Sequence, residues 1–300
     1  MKAYKGLDNI PQGIASDKLT HGCLVVEGGA LRSMYAMGAL DALMMNDINL
    51  DCYIGVSAGA MSGVNYLSGQ IGRGAYLTLK YRHDSRFIGA KAILENKGIT
   101  GFRFMWGPVQ KDIPLRKKQF NNPDRRYVCI ATNLRTGKEE YFEKGVDEDF
   151  LFYMQAGATV PFGSWPVTVN GVPYLDGGIA KHVPAEWAIN EGYEKIVVIR
   201  TREKTFKAKK EFSDVIVNTL YKKKYPKMAT KLRLNSYFYN KEIDNLNKLE
   251  AQGRIFQLAP SRPLELTLFC NDLDELADLY YMGLNDTKEH IEDVKKYLGL

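Results

Sequence analysis

Gly55-Val56-Ser57-Ala58-Gly59 is the stretch on which the reading of this chain turns. Before it runs Leu50-Asp-Cys-Tyr-Ile-Gly-Val56, short and apolar enough to be a buried strand. After it, Ala58-Gly-Ala-Met-Ser-Gly-Val-Asn-Tyr-Leu67 has the composition of a tightly packed helix. Ser57 is thus expected on a strand-to-helix turn. A turn of that kind holds its central residue in a strained conformation and leaves almost no room for flanking side chains, which gives Gly55 and Gly59 a steric reason. The hydroxyl would sit at a helix N-terminus, where backbone N–H groups and the helix dipole favour a developing negative charge. A chain of 300 residues meets G-x-S-x-G by chance about one time in ten, and an N-capping serine in a packing turn has the same pattern. The surroundings must therefore decide.

Strand-like runs also occur at 21–27, 126–132 and 195–201, with helical patterns between several of them, so a mainly parallel sheet with helices on both faces is expected. Leu31–Met45 reads as the helix joining the first strand to the second in a right-handed βαβ unit. Leu134–Phe142 and Val167–Leu175 read as hairpins, the second around Asn170-Gly171, and the second delivers the chain to Asp176-Gly177-Gly178. Residues 71–122 fit strands poorly and carry Phe102-Arg-Phe104-Met105-Trp106, which suits either a lid or lipid-facing insertion or an ordinary core segment. Beyond residue 202 the chain becomes lysine-rich and helical through 218–251, with a short strand at 254–258 and an amphipathic helix at 272–298. The expected organisation is an α/β body over 1–202 and a mainly helical C-terminal region over 203–300.

Composition bounds the function. With 45% apolar residues the chain can bury a substantial core, and its longest apolar runs, such as Lys195-Ile-Val-Val-Ile199, fall far short of a membrane span. Met1–Ile10 has two lysines without an apolar segment behind them, so a cytoplasmic location is expected. Cys23, Cys52, Cys129 and Cys270 are widely spaced and read as reduced core thiols, with no metal or redox pairing. The net charge of +6 is concentrated: twelve basic residues against three acidic ones lie between Arg200 and Arg233. Such a stretch suits either peripheral contact with an anionic membrane or a solvated connector, and no nucleic-acid motif accompanies it.

A hydrolytic serine needs an oxyanion site and a base. Glu27-Gly28-Gly29-Ala30-Leu31-Arg32 follows the first strand and opens the first helix, so its N–H groups would cluster beside Ser57. It lacks the spacings of the nucleotide-binding loops. Arg32 would steady that loop, attract an anionic head group or form a surface ion pair. Of the four histidines, His21, His83 and His290 read as exposed structural residues, and His182 is the one placed to act as a base. Asp176 is the stronger candidate, at a strand end with Gly177-Gly178 leaving room for close approach, although Asp-Gly-Gly is also an ordinary turn.

Taken together, these blocks resemble the patatin-like phospholipases and acyl hydrolases. Gly28-Gly29-Ala30-Leu31-Arg32 is similar to the family's oxyanion loop, Gly55–Gly59 to its nucleophile elbow, and Asp176-Gly177-Gly178 to its base motif. Ala156–Pro161 through Trp165–Val167 is similar to the proline-containing segment before the base. The resemblance spans about residues 20–200. It implies a three-layer α/β/α fold and a serine acyl hydrolase acting on lipid esters. Ser57 would be the nucleophile and Asp176 the base, Gly28, Gly29 and Ala30 would hold the oxyanion, and neither metal nor cofactor would be needed. Ala30 stands where the family has a third glycine; its N–H serves the hole provided position 30 needs no positive φ. Ser33 stands where a glycine commonly follows the basic residue. Two other readings stay open: an α/β-hydrolase triad with His182 or His290 as base, and a non-catalytic membrane-binding protein of the same fold.

Overall fold

The computed structural model describes residues 4–210, 213–264, 266 and 270–300. Met1–Ala3 of the lysine-bearing N-terminus and Glu211 of the basic stretch lie outside them. In chain order, β1 (Gly13–Ile14) precedes β2 (Thr20–Val26), α1 (Ser33–Met45), β3 (Leu50–Val56) and α2 (Ala58–Leu67). Next come β4 (Gln70–Ile71), which pairs with β1, and five helices: α3 (Arg73–Tyr81), α4 (Ala90–Asn96), α5 (Phe102–Trp106), α6 (Pro108–Asp112) and α7 (Lys117–Phe120). β5 (Arg126–Asn133), β6 (Lys138–Glu143), α8 (Phe150–Gly157), β7 (Val167–Val169), β8 (Val172–Asp176), α9 (Ala185–Asn190) and β9 (Ile196–Ile199) complete the region read as α/β. The C-terminal part holds α10 (Asp214–Val217), a π-helical turn Asn218–Lys222, α11 (Pro226–Arg233), α12 (Asn235–Ala251), β10 (Phe256–Leu258), α13 (Leu273–Glu289) and α14 (Ile291–Leu298).

The eight-stranded sheet runs β10-β9-β2-β3-β5-β8-β7, with β6 paired to β5 as well. The first five strands are mutually parallel, and β6, β7 and β8 are antiparallel to their neighbours. Successive side chains of a strand point to opposite faces. Leu24, Val26, Tyr53, Val197 and Ile199 therefore join the core under α1, α2, α8 and α13. Cys23, Val25, Ile54, Ile196 and Val198 join the core under α9 and α12. Burial on both faces is why these strands read as unbroken apolar runs. The result is the three-layer α/β/α fold with a mainly parallel sheet and C-terminal helices.

Residues beyond 202 are built into this body. β10 extends the sheet in parallel with β9, and α12 covers one of its faces. α13 crosses α1 so closely that a Cβ on Gly38 would lie 2.0 Å from the Tyr280 carbonyl oxygen, and one on Gly283 would lie 2.0 Å from that of Tyr35. The helix read over 272–298 is two helices, because His290 (φ −99°, ψ 8°) leaves helical geometry. The Asn170-Gly171 hairpin forms as read, with both residues at positive φ (48° and 73°). All four cysteines are buried and free, Cys23 and Cys52 lying side by side on adjacent strands. The basic stretch is less uniform than its composition suggests. Arg200 is fully buried, and Lys204, Lys207, Lys210 and Arg233 pair with Glu250, Asp244, Asp214 and Asp214.

Candidate active site

Strand register alone brings Ser57 and Asp176 together. β3 pairs with β5 from Cys52↔Arg126 to Val56↔Ile130 and then turns away at Ser57. β6 occupies the other edge of β5 over 128–133, so β8 must take the edge that β3 vacates, and it does so with Asp176 opposite Ala131. Ser57 and Asp176 thus meet end to end, although 119 residues separate them. The Ser57 hydroxyl donates to Asp176 Oδ2 at 2.5 Å. The Gly178 N–H donates to Asp176 Oδ1 at 2.8 Å, and Thr132 Oγ1 donates to the Asp176 carbonyl at 2.8 Å, which fixes the carboxylate's orientation.

Ser57 has φ 54° and ψ −126°, a strained geometry for a residue with a side chain, and α2 begins at the next residue. Glycine makes the elbow compact. A Cβ on Gly59 would lie 2.6 Å from the carbonyl oxygens of Val26 and Glu27, and one on Gly28 would lie 3.0 Å from Ser57 Cβ. The loop after β2 is thereby held against the nucleophile. The N–H groups of Gly28, Gly29 and Ala30 find no acceptor among the described residues.

Ala30 corrects one sequence condition, since its φ is 49° and position 30 does adopt the left-handed region. The loop keeps its shape at a backbone cost of about 1–2 kcal/mol. Ala30→Gly should accordingly raise stability by about 1 kcal/mol, less what glycine's larger unfolded-state entropy takes back. Thermal melting with a fluorophosphonate-labelling control checks this; a lowered melting temperature would contradict it. Arg32 folds back over the same loop, its Nε 3.2 Å from where a Gly29 Cβ would be, and is absent from the cavity wall described below.

Asp176 is buried, and desolvation raises its pKa to about 6 against the lowering effects of the Ser57 and Gly178 hydrogen bonds and of nearby His182. At neutral pH it remains largely ionised and can accept a proton. His182 does not lie between the two residues. Its ring approaches Glu242 Oε1 at 3.4 Å and stands edge-on to Tyr239, while Glu242 also takes the His182 and Val183 N–H groups. His290 is a surface residue 3.7 Å from Asp293. The triad arrangement is therefore not assembled here.

A network that sequence patterns do not reveal supports the loop from below. Glu27 Oε2 accepts from Arg200 Nε at 3.1 Å and from the Thr201 N–H at 2.7 Å, and Glu27 Oε1 accepts from the Tyr239 hydroxyl at 2.7 Å. Thr201 Oγ1 donates to the Gly28 carbonyl at 2.5 Å, and Arg200 also reaches Gln257. Glu27 and Arg200 are 173 residues apart, and nothing local in either segment marks them as partners.

Ser57 and Ala30 open onto a mainly apolar cavity. Its floor is made by α2 and α3 through Met61, Val64 and Leu77, and its roof by Phe87, Ile88, Ile99, Met105, Trp106 and Val109. The segment 71–122 thus covers the cavity, and the aromatic cluster turns inward, with Phe102 and Phe104 buried and Trp106 on the wall. Among the described residues there is no cluster of side chains able to hold a metal ion, and no helix long and apolar enough to cross a membrane.

A mainly parallel α/β/α sheet thus carries a hydrogen-bonded serine–carboxylate pair beside an apolar cavity. The chain belongs to the patatin-like phospholipases, whose family model matches residues 24–189, and is a hydrolase. A second model, a domain of unknown function (DUF6363), matches residues 225–299. The uncharacterized protein YjjU of Escherichia coli (strain K12) is 23% identical over 266 residues, which cover 87% of this chain and 74% of that protein. The probable lipid hydrolase 463L of Invertebrate iridescent virus 6 is 26% identical over 209 residues, 61% of this chain and 71% of that one. Among solved structures, VipD from Legionella pneumophila aligns with a TM-score of 0.49 and 13% identity, over 91% of this chain and 67% of that chain.

Proposed function

We propose that the protein hydrolyses lipid esters through an acyl-enzyme formed on Ser57. The observation that carries this reading is the 2.5 Å hydrogen bond from Ser57 Oγ to Asp176 Oδ2 at a strained elbow beside an apolar cavity. As Ser57 Oγ attacks the ester carbonyl carbon, its proton passes to Asp176, and the N–H groups of Gly28, Gly29 and Ala30 hold the negative oxygen of the tetrahedral intermediate. Collapse expels the alcohol, which takes the proton from Asp176. Water then gives a proton to Asp176 and attacks the acyl carbon, releasing the fatty acid and returning the proton to Ser57. Each proton in these steps passes through Asp176. In this reading residues 1–202 carry the chemistry, and 203–300 brace the oxyanion loop through Tyr239 and Gln257.

A fluorophosphonate probe followed by mass spectrometry tests the assignment. Modification of Ser57, together with turnover of a short-chain ester, supports it; modification of another serine with Ser57 untouched overturns it. Absence of both labelling and turnover would favour a non-catalytic, membrane-binding role.

Peripheral contact with an anionic membrane forms part of the proposal. Val215, Ile216 and Leu220 are 73%, 52% and 56% exposed, and the exposed Lys222, Lys223 and Lys224 follow on the next turn. This surface adjoins the cavity: Tyr221 takes the Phe162 N–H at 2.9 Å, two residues beyond Val160 of the cavity wall. Each lysine near an anionic surface contributes about 1 kcal/mol. Changing the three lysines to glutamate should weaken binding to anionic vesicles at least ~10-fold at low salt while hydrolysis of a soluble ester continues. Equal binding of the unaltered protein to neutral and anionic vesicles would return the lysines to ordinary solvated surface.

A further inference from the structure

One face of a single C-terminal helix reaches both of the loops that meet at Ser57. α12 is the last helix of the crossover from β9 to the parallel strand β10, so it begins at the carboxyl edge of the sheet, where those loops lie. Asn235, Tyr239 and Glu242 stand at i, i+4 and i+7 along it and therefore share a face. Asn235 Nδ2 donates to the Gly178 carbonyl at 3.1 Å. The Tyr239 hydroxyl donates to Glu27 Oε1 at 2.7 Å and accepts from Arg200 Nη2 at 3.2 Å. Glu242 Oε2 accepts from the His182 and Val183 N–H groups, each at 3.0 Å. Two turns further on the same face continues with Leu246, buried over the sheet.

The turn after Asp176 needs such support. A Cβ on Gly177 would lie 2.5 Å from the Ile130 carbonyl oxygen, so glycine is required for the close approach, yet two glycines in succession leave a turn with little stiffness of its own. That turn has to present the Gly178 N–H to Asp176 Oδ1, at 2.8 Å, to keep the carboxylate aimed at Ser57. Asn235 fixes the carbonyl end of Gly178, and Glu242 fixes His182 and Val183, so the segment between them is pegged to one helix at two points. Ile179 in its middle joins the apolar cluster of Leu175, Met228 and Leu232. Through Tyr239 and Glu27 the same helix is also tied to the loop that begins at Gly28. A rigid element thus sets the separation of the two loops, and misplacing a reacting group by about 1 Å costs on the order of 100-fold in rate.

We propose that Asn235 and Tyr239 are positioning residues for the hydrolysis, Asn235 acting on the base Asp176 through Gly178 and Tyr239 acting on the oxyanion loop through Glu27. The inference rests on the Ser57 and Asp176 reading and deepens it. The two residues act on different reacting groups, so their variants should differ in kind.

Steady-state hydrolysis of p-nitrophenyl butyrate across pH, at a temperature where thermal melting shows every variant folded, tests this. Asn235→Ala frees the Gly178 carbonyl and loosens the N–H that favours the ionised carboxylate. It should lower kcat ~10-fold with KM nearly unchanged and move the rising limb of the pH profile to higher pH. Tyr239→Phe should lower kcat by a similar factor and leave that limb in place, because Asp176 keeps its hydrogen bonds. Asn235→Gln, which retains an amide donor, should recover part of the loss. The rate at which a fluorophosphonate modifies Ser57 should fall in step with kcat. If Asn235→Ala does not fold, Asn235→Ser, whose hydroxyl is one bond shorter and well suited to a helix start, carries the same expectations. A folded Asn235 variant with unaltered kcat and pH limb overturns the proposal, and so does a loss confined to KM. A limb that shifts equally in Tyr239→Phe also overturns it, since that would mark general loosening of the fold. Failure of the Ser57 reading looks different, because the unaltered protein would then neither hydrolyse the ester nor take the label at Ser57.

Discussion

Ser57→Ala should lower ester hydrolysis at least ~10⁴-fold and abolish fluorophosphonate labelling while leaving the protein folded. The magnitude follows from removing the atom that would form the acyl bond, for which the neighbouring groups have no substitute. A second variant separates chemistry from strain. Ser57 is held at φ 54°, a conformation costing about 1–3 kcal/mol in a residue with a Cβ. Ser57→Gly should therefore be as inactive as Ser57→Ala yet melt higher, by about 1 kcal/mol once the flexibility of glycine in the unfolded chain is offset. Retained turnover in either variant would remove Ser57 from the reaction. Equal melting of the two would show that the elbow stores no strain.

Asp176→Asn should lower kcat by ~10²–10⁴-fold, the range for loss of a general base, because an amide still accepts a hydrogen bond but cannot take the Ser57 proton. The pH dependence carries the same assignment. Burial raises the Asp176 pKa to about 6, so hydrolysis by the unaltered protein should rise with pH through about 6 and then level off. That limb should be missing from the residual activity of the asparagine variant.

Stability should move the opposite way. Between the unfolded carboxyl pKa and about 6, the folded state binds more protons than the unfolded one, so stability falls as pH rises through that window. At pH 7 the ionised, buried Asp176 costs on the order of 3 kcal/mol, and Asp176→Asn should be as stable as the unaltered protein or more so. His290→Ala, a change at an exposed ion pair, should keep most activity. A dead but folded histidine variant beside an active Asp176→Asn would replace the dyad with a triad.

Much of the sheet was legible because its signals are local. β3 was read to the residue, since six of its seven residues are buried and leave a short, mostly apolar run that ends at Ser57. The Asn170-Gly171 hairpin was legible for a similar reason: both residues tolerate the positive φ that a two-residue turn demands. Arg200 was misread for the converse reason. It was counted with the basic stretch that begins at the end of β9, whereas its burial depends on Glu27, Tyr239 and Gln257 arriving from three other segments.

By itself, the sequence determined the α/β class, the strand-to-helix turn at Ser57, the glycine loop opening the first helix and the turn after Asp176, because each is a short pattern governed by backbone sterics and burial. Tertiary structure decided the rest. Only the exchange of β3 for β8 along the edge of β5 sets Asp176 against Ser57, and only the folding of 71–122 over α2 and α3 makes the cavity beside them. Packing likewise showed that α13 belongs to the body of the fold and that Ala30 sits in the left-handed region. The physical reason is the range of the forces concerned. Periodicity and turn chemistry act over a few residues, whereas the burial of a charge or the meeting of two side chains depends on segments that the chain keeps more than a hundred residues apart.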